Sequence, residues 1–250
     1  MPFGLGGLVG LAIAWEITAR AIDKEIFLVS FSRVLADLAA WLTSGDMTEH
    51  LVASGTEFVL GFGLSIVLGL LVGGAMGLSR TAQRILGPLV SGLYSTPLIA
   101  LTPLFVIWLG FGLSAKVALV MLVSLFPIII NTETGIRQVD PAYLDAVRAF
   151  GASPLQLVAK VRVPAALPFL FAGMRISVAR ATTGIFVAEL FGARAGIGYS
   201  IINAAASFNT ARLLSGIVIL AGFGVVMSWL IGVLGDRAAP WRVTEERESR

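Results

Sequence analysis

Cysteine is absent and His50 is the only histidine, so the chain has no disulfides, no thiolate metal sites and no histidine cluster. The only lysines are Lys24, Lys116 and Lys160, which follow Asp23, Ala115 and Ala159. A Walker A loop ends in Gly-Lys-Ser/Thr, so the chain has no P-loop. Charge is scarce as well: Asp, Glu, Lys and Arg make up 13% of 250 residues, against 57% hydrophobic residues. A water-soluble domain of this length has too little polar surface at that balance, which puts the chain in the membrane class. Alternating strand patterns and long low-complexity segments are also lacking.

Long uncharged runs are present instead. Helix spans of about 20 apolar residues cross the roughly 30 Å hydrocarbon layer, and the runs here predict about six transmembrane helices. They lie at roughly 4–19, 54–78, 85–112, 115–132, 163–190 and 213–235, which makes 1–250 a single all-α transmembrane domain. Ala19-Arg20-Ala21 resembles a signal-peptide cleavage site, but no basic residue precedes Arg20 to form the required n-region, and a retained helix is expected. The net charge of +3 does not point to nucleic acid, because the basic residues are scattered between apolar spans and form no stripe.

An even number of spans puts both termini on one side. If that side is the cytoplasm, the inner segments hold Arg80, Arg84, Arg137, Arg148, Lys160, Arg162, Arg237, Arg242, Arg247 and Arg250. The outer segments then hold Arg20, Lys24, Arg33, Lys116, Arg194 and Arg212, so the inner excess favours cytoplasmic termini.

Between the first two spans, Phe31, Val34, Leu35, Leu38 and Leu42 recur at helical spacing and predict an amphipathic helix on the outer interface. Asp46-Met47-Thr48-Glu49 has capping-box spacing. Gly61, Ser65, Gly69, Gly73 and Gly77 line one face of the second span, where another backbone can approach closely: a neighbouring helix of this chain or a second copy. Pro88, Pro97 and Pro103 interrupt the third span. Hydroxyls of Ser95, Thr96 and Thr102 sit beside the breaks, fitting either the wall of a polar pathway or a kinked packing helix.

The polar segment 133–162 separates spans four and five. Asp140-Pro141 is an N-cap followed by proline at the first helical position, Gly151 suits a left-handed helix end, and Ser153-Pro154 starts a second helix. A helix-turn-helix of about ten residues per arm is expected, with Ala146, Val147, Ala149 and Phe150 forming a small-residue and aromatic surface. In span five, Arg175, Arg180 and Glu189 interrupt the apolar run, and charges there face a partner or an aqueous cavity. Arg180 fits an anion pathway or an interhelical ion pair, with Thr183 one turn further on. Glu189 fits a gate at the outer mouth or an anchor for 192–198.

Within this connector the chain resembles the permease subunits of ABC importers. Their motif runs Glu-Ala-Ala, three residues, Gly, nine residues, Ile-x-Leu-Pro; here Asp145-Ala146-Val147 precedes Gly151 and Val161-Arg162-Val163-Pro164 at the same spacing. The resemblance extends over nearly the whole chain. It looks closest to the nitrate, sulfonate, taurine and bicarbonate branch of type I importers, through Trp15-Glu16, Thr102-Pro103-Leu104-Phe105, Phe126-Pro127, Val139-Asp140-Pro141, Leu167-Pro168, Ala188-Glu189-Leu190 and Gly196-Ile197-Gly198-Tyr199.

That resemblance implies a type I permease fold in a bacterial inner membrane, with an ATPase docked on Asp145, Ala146, Val147, Phe150, Gly151, Ala152, Ser153, Pro154 and Pro164. It implies two ATPase subunits carrying ATP and Mg, an extracytoplasmic solute-binding protein, and a second permease copy. This chain would bind no cofactor and no nucleic acid, would be surrounded by lipid, and would carry nitrate, sulfonate, taurine or a similar organic anion. Ser95, Thr96, Pro97, Thr102, Arg180, Thr183 and Glu189 are the expected pathway residues. The alternative is a secondary transporter driven by an ion gradient, which needs midplane ion sites.

Overall fold

The computed structural model describes residues 2–22, 24 and 26–241. Arg242, Arg247 and Arg250, which entered the orientation count, lie outside the described residues. Every regular element among the described residues is helical: α1 Pro2–Ile22, α2 Phe31–Ser44, α3 Asp46–Leu78, α4 Arg80–Ser95, α5 Thr102–Leu109, α6 Leu113–Arg137 and α7 Pro141–Ala149. They are followed by α8 Pro154–Leu190, α9 Ile197–Ala206 and α10 Thr210–Ala238. Four of these, α3, α6, α8 and α10, are each long and apolar enough to cross a membrane; the bent pair of α4 with Leu98–Leu109 makes a fifth if counted as one span. The predicted first span is the 21-residue α1, which stands outside that count.

The chain divides into two compact units, Met1–Thr56 with Glu189–Gly222, and Glu57–Ala188 with Phe223–Arg250. In the second unit α3 lies along α6 through its small-residue face. A Cβ on Gly61 would meet Val120, one on Gly69 would meet Ile128, one on Gly73 would lie 2.5 Å from the Ile129 carbonyl oxygen, and one on Gly77 would meet Ile136. The glycine stripe therefore serves packing within the chain, and buried Phe58, Phe62, Val120, Ile128, Val178, Ala181 and Ile185 fill the core beside it.

Three expectations change. The predicted third span at 85–112 is not one helix: α4 ends at Ser95, a 3-10 turn covers Leu98–Leu101, and α5 leaves at 84° to α4. Pro97 and Pro103 cannot donate backbone hydrogen bonds, and two such losses within seven residues turn a kink into a break. The regular α-helix of span five keeps the expected bounds, Val163–Leu190, but the second arm of the connector is not a separate ten-residue helix: Pro154–Leu157 passes through a π-turn at Val158–Arg162 into that span, and together they form the 37-residue α8. Asp46 is not a cap but the first residue of α3. Left-handed Gly45 ends α2 directly before it, and the Thr48 hydroxyl donates to the Gly45 carbonyl at 2.6 Å.

In the first unit, Trp15 and Glu16 fix the entry to α2. The Trp15 indole donates to the Val29 carbonyl at 3.0 Å, while Glu16 accepts from the Ser32 amide at 3.0 Å and its hydroxyl at 2.9 Å. Ser30, at the N-cap position, makes no capping bond with its side chain, so Glu16 supplies the carboxylate that a free helix start requires. Val34 and Trp41 are the buried residues of α2.

Candidate functional site

The connector between α6 and α8 is built by its caps. Asp140 accepts from the Ala142 amide at 2.8 Å, and Pro141 at the first position of α7 gives up an amide that needs no partner there. Gly151 is left-handed at φ 81°. Ser153 and Gln156 then form a reciprocal capping box, with bonds of 3.3 Å and 2.8 Å, at the start of α8. Leu144 of α7 and Leu157 of α8 are buried, and the two arms meet Leu78 around a small cavity of about 240 Å³.

What the caps present is an apolar tip. Phe150 is 91% exposed, Leu155 77% and Tyr143 69%, while Asp145 at the surface pairs with Arg148 at 2.8 Å. Val147 and Ala152 are half-buried, and Ala146, Gly151, Ser153 and Pro154 are exposed. Beyond the tip, Val158–Arg162 forms a π-turn in which the Val163 amide donates to the Val158 carbonyl. Pro164 follows at once. An interior proline clashes with the carbonyl one turn back, and the wider turn over Lys160 relieves that clash.

The α4–α5 break opens a cavity of about 200 Å³ lined by Tyr94, Thr96, Pro97, Leu98, Ile99, Val123, Arg180 and Thr183. Four of the predicted pathway residues, Thr96, Pro97, Arg180 and Thr183, thus share one wall, and Tyr94 joins them unpredicted. Arg180 makes no ion pair with any described residue, so none of the described carboxylates supplies the structural partner that the second reading requires. The predicted hydroxyls at the break are used locally. Ser95 donates to the Ser91 carbonyl at 2.8 Å, and buried Thr102 donates to the Ile99 carbonyl at 2.5 Å, stitching the turn.

Glu189 belongs to a different constellation. It is 1% exposed and accepts from the Ser54 hydroxyl at 2.5 Å and from the Gly198 and Tyr199 amides at 2.5 and 3.3 Å. Its carboxylate therefore sits on the positive end of α9, which favours its reading as the anchor of 192–198. His50 is half-buried and accepts the Gly196 amide on Nδ1 at 3.0 Å. Sequence reasoning also missed the pair of Glu57, 1% exposed, with Lys116 at 2.5 Å. Glu57 stands immediately before an apolar run, and nothing in the sequence points to a partner 59 residues on.

Known proteins agree with this architecture. The family described as "Binding-protein-dependent transport system inner membrane component" matches residues 65–240. The chain is 36% identical to the "Putative aliphatic sulfonates transport permease protein SsuC" of Bacillus subtilis over 97% of its own length and 83% of the relative's. It is 29% identical to the taurine transport system permease protein TauC of Escherichia coli, covering 92% of this chain and 86% of that one. Among solved structures, an inward-facing conformation of the MetNI methionine ABC transporter superposes with a TM-score of 0.60 at 24% identity, over 81% of this chain and 96% of that one. The chain belongs to the family of inner-membrane permease components of binding-protein-dependent ABC transport systems.

Proposed function

We propose that the chain is the membrane-spanning subunit of an ATP-driven importer of small organic anions of the sulfonate class, with both termini in the cytoplasm. A second copy completes the translocation pathway, two ATPase subunits dock on the Asp145–Pro164 connector and hold the ATP and Mg, and an extracytoplasmic binding protein delivers the solute. The observation that carries the ATPase contact is the connector tip: a capped, rigid turn that exposes Phe150 and Leu155 beside an ion pair. An apolar surface of this kind calls for a covering partner. The relatives named for aliphatic sulfonates and taurine support the solute class. The pathway runs past the α4–α5 break, and Thr96, Pro97, Arg180 and Thr183 line it. In the ion-gradient alternative, Glu189 is the only carboxylate in the last four predicted spans, and it is committed to Ser54, Gly198 and Tyr199.

Gly151→Asp tests the connector. A Cβ there meets nothing within 4 Å, so the change costs only the left-handed strain that aspartate tolerates better than most residues. The expected result is a folded permease that no longer co-purifies with the ATPase of its operon and loses solute-stimulated ATP hydrolysis. Co-purification and stimulated hydrolysis at the unmodified level would refute the proposal.

A further inference from the structure

We propose that Arg180 and Tyr94 form an anion subsite in the cavity beneath the α4–α5 break, where the permease itself holds the head group of a monovalent sulfonate in transit. The proposal rests on the importer reading and adds to it a selectivity step inside the membrane domain.

Arg180 lies ten residues before Leu190, the outer end of α8 (190 − 180). At 1.5 Å per residue that is about 15 Å, roughly half the hydrocarbon thickness. A guanidinium at that depth is costly unless it meets an opposite charge or water. No described carboxylate pairs with it, and it is exposed into a cavity. The donors available there can be counted. Thr96 and Thr183 already donate to the Gly92 and Ala179 carbonyls, each at 3.0 Å. Tyr94 makes no hydrogen bond with a described residue, and its ring is held against buried Phe126 at 5.9 Å between centroids. Arg180 and Tyr94 are therefore the two free donors, and the remaining wall is apolar: Pro97, Leu98, Ile99 and Val123.

This chemistry selects. A sulfonate carries one negative charge on three acceptor oxygens, which matches one guanidinium plus one phenol hydroxyl. A phosphate monoester dianion would keep an uncompensated charge in a low-dielectric site. A cavity of about 200 Å³ has room for the head group and a short alkyl chain.

The test uses the assembled permease–ATPase complex in nanodiscs without binding protein, with ethanesulfonate as the probe followed by saturation-transfer NMR. Saturable transfer is expected, along with no competition from ethyl phosphate at pH 8. In Arg180→Gln, binding and ethanesulfonate uptake by the complete system should weaken roughly ten- to a hundredfold, the loss of one charge-assisted bond; Arg180→Lys should recover part of it. If Arg180→Gln does not assemble, Thr183→Glu sets a carboxylate one turn from Arg180 and should produce the same loss. Binding and uptake at the unmodified level in either variant overturns the subsite, as does the absence of saturation transfer from the unmodified complex. Binding that persists while the complete system takes up no ethanesulfonate overturns the importer reading and leaves the subsite standing.

Discussion

Arg180 and Glu189 look alike in the sequence, two charges in one apolar helix, and the structure gives them opposite characters. Glu189 is satisfied by a hydroxyl 135 residues away and by two amides of α9, whereas Arg180 faces a cavity. Spacing along one helix cannot reveal this, because the partners come from other segments. The anchor also explains Gly196, which sits at φ 134° and whose Cβ would lie 2.2 Å from the Glu189 carboxylate. Gly196→Ala should thus carry two penalties, backbone strain and displacement of the carboxylate from its donors. Gly45→Ala, at φ 83° with open space around it, carries strain alone. Thermal melts of the detergent-purified protein should show the first destabilised by about 3 kcal/mol and the second by about 1 kcal/mol.

Helices were legible wherever local rules decide them. Asp140-Pro141, Gly151 and Ser153-Pro154 fold as their cap chemistry dictates, and the Gly61-to-Gly77 stripe meets α6 as small-residue spacing requires. The 84° break was legible only in part: the prolines mark the place, but the direction of α5 depends on what packs around it. The Asp46 cap failed because the same residues also fit the first turn of a helix that begins one residue earlier. At this scale Gly73→Leu should force α3 from α6, since its side chain starts 2.5 Å from a backbone oxygen. Gly63→Leu, with nothing within 4 Å, should be silent. A loss of about 3 kcal/mol or failure to recover monodisperse protein is expected for Gly73→Leu alone by fluorescence-detected size exclusion.

The whole molecule was the most legible level in kind and the least in arrangement. Apolar run lengths marked out the long spans, while the grouping of distant segments into two compact units has no local signature. The missing cysteines make orientation directly measurable, because any introduced thiol is unique. With the permease expressed without its ATPase, Phe150→Cys at the exposed tip should react with a membrane-impermeant maleimide in inside-out vesicles only. Arg194→Cys, exposed after α8, should react in right-side-out cells only. The reverse pattern would invert the topology.

A consequence of α8 lies in its phase. One helix runs from the connector tip at Pro154 past Arg180, 26 residues or about 39 Å on, so it acts as a drive shaft stiff to both twist and thrust. Its only irregular turn, Val158–Arg162, carries one residue more than an α-turn and so sets the angular offset between the two ends by about 100°. Pro164→Ala restores a donor for the Lys160 carbonyl and lets that turn close to regular helix. The expected variant keeps its melting temperature within a few degrees, and although Pro164 closes the docking segment, the change leaves the exposed Phe150 and Leu155 tip in place to hold the ATPase. It should hydrolyse ATP without moving solute, like a shaft keyed to its motor at the wrong angle.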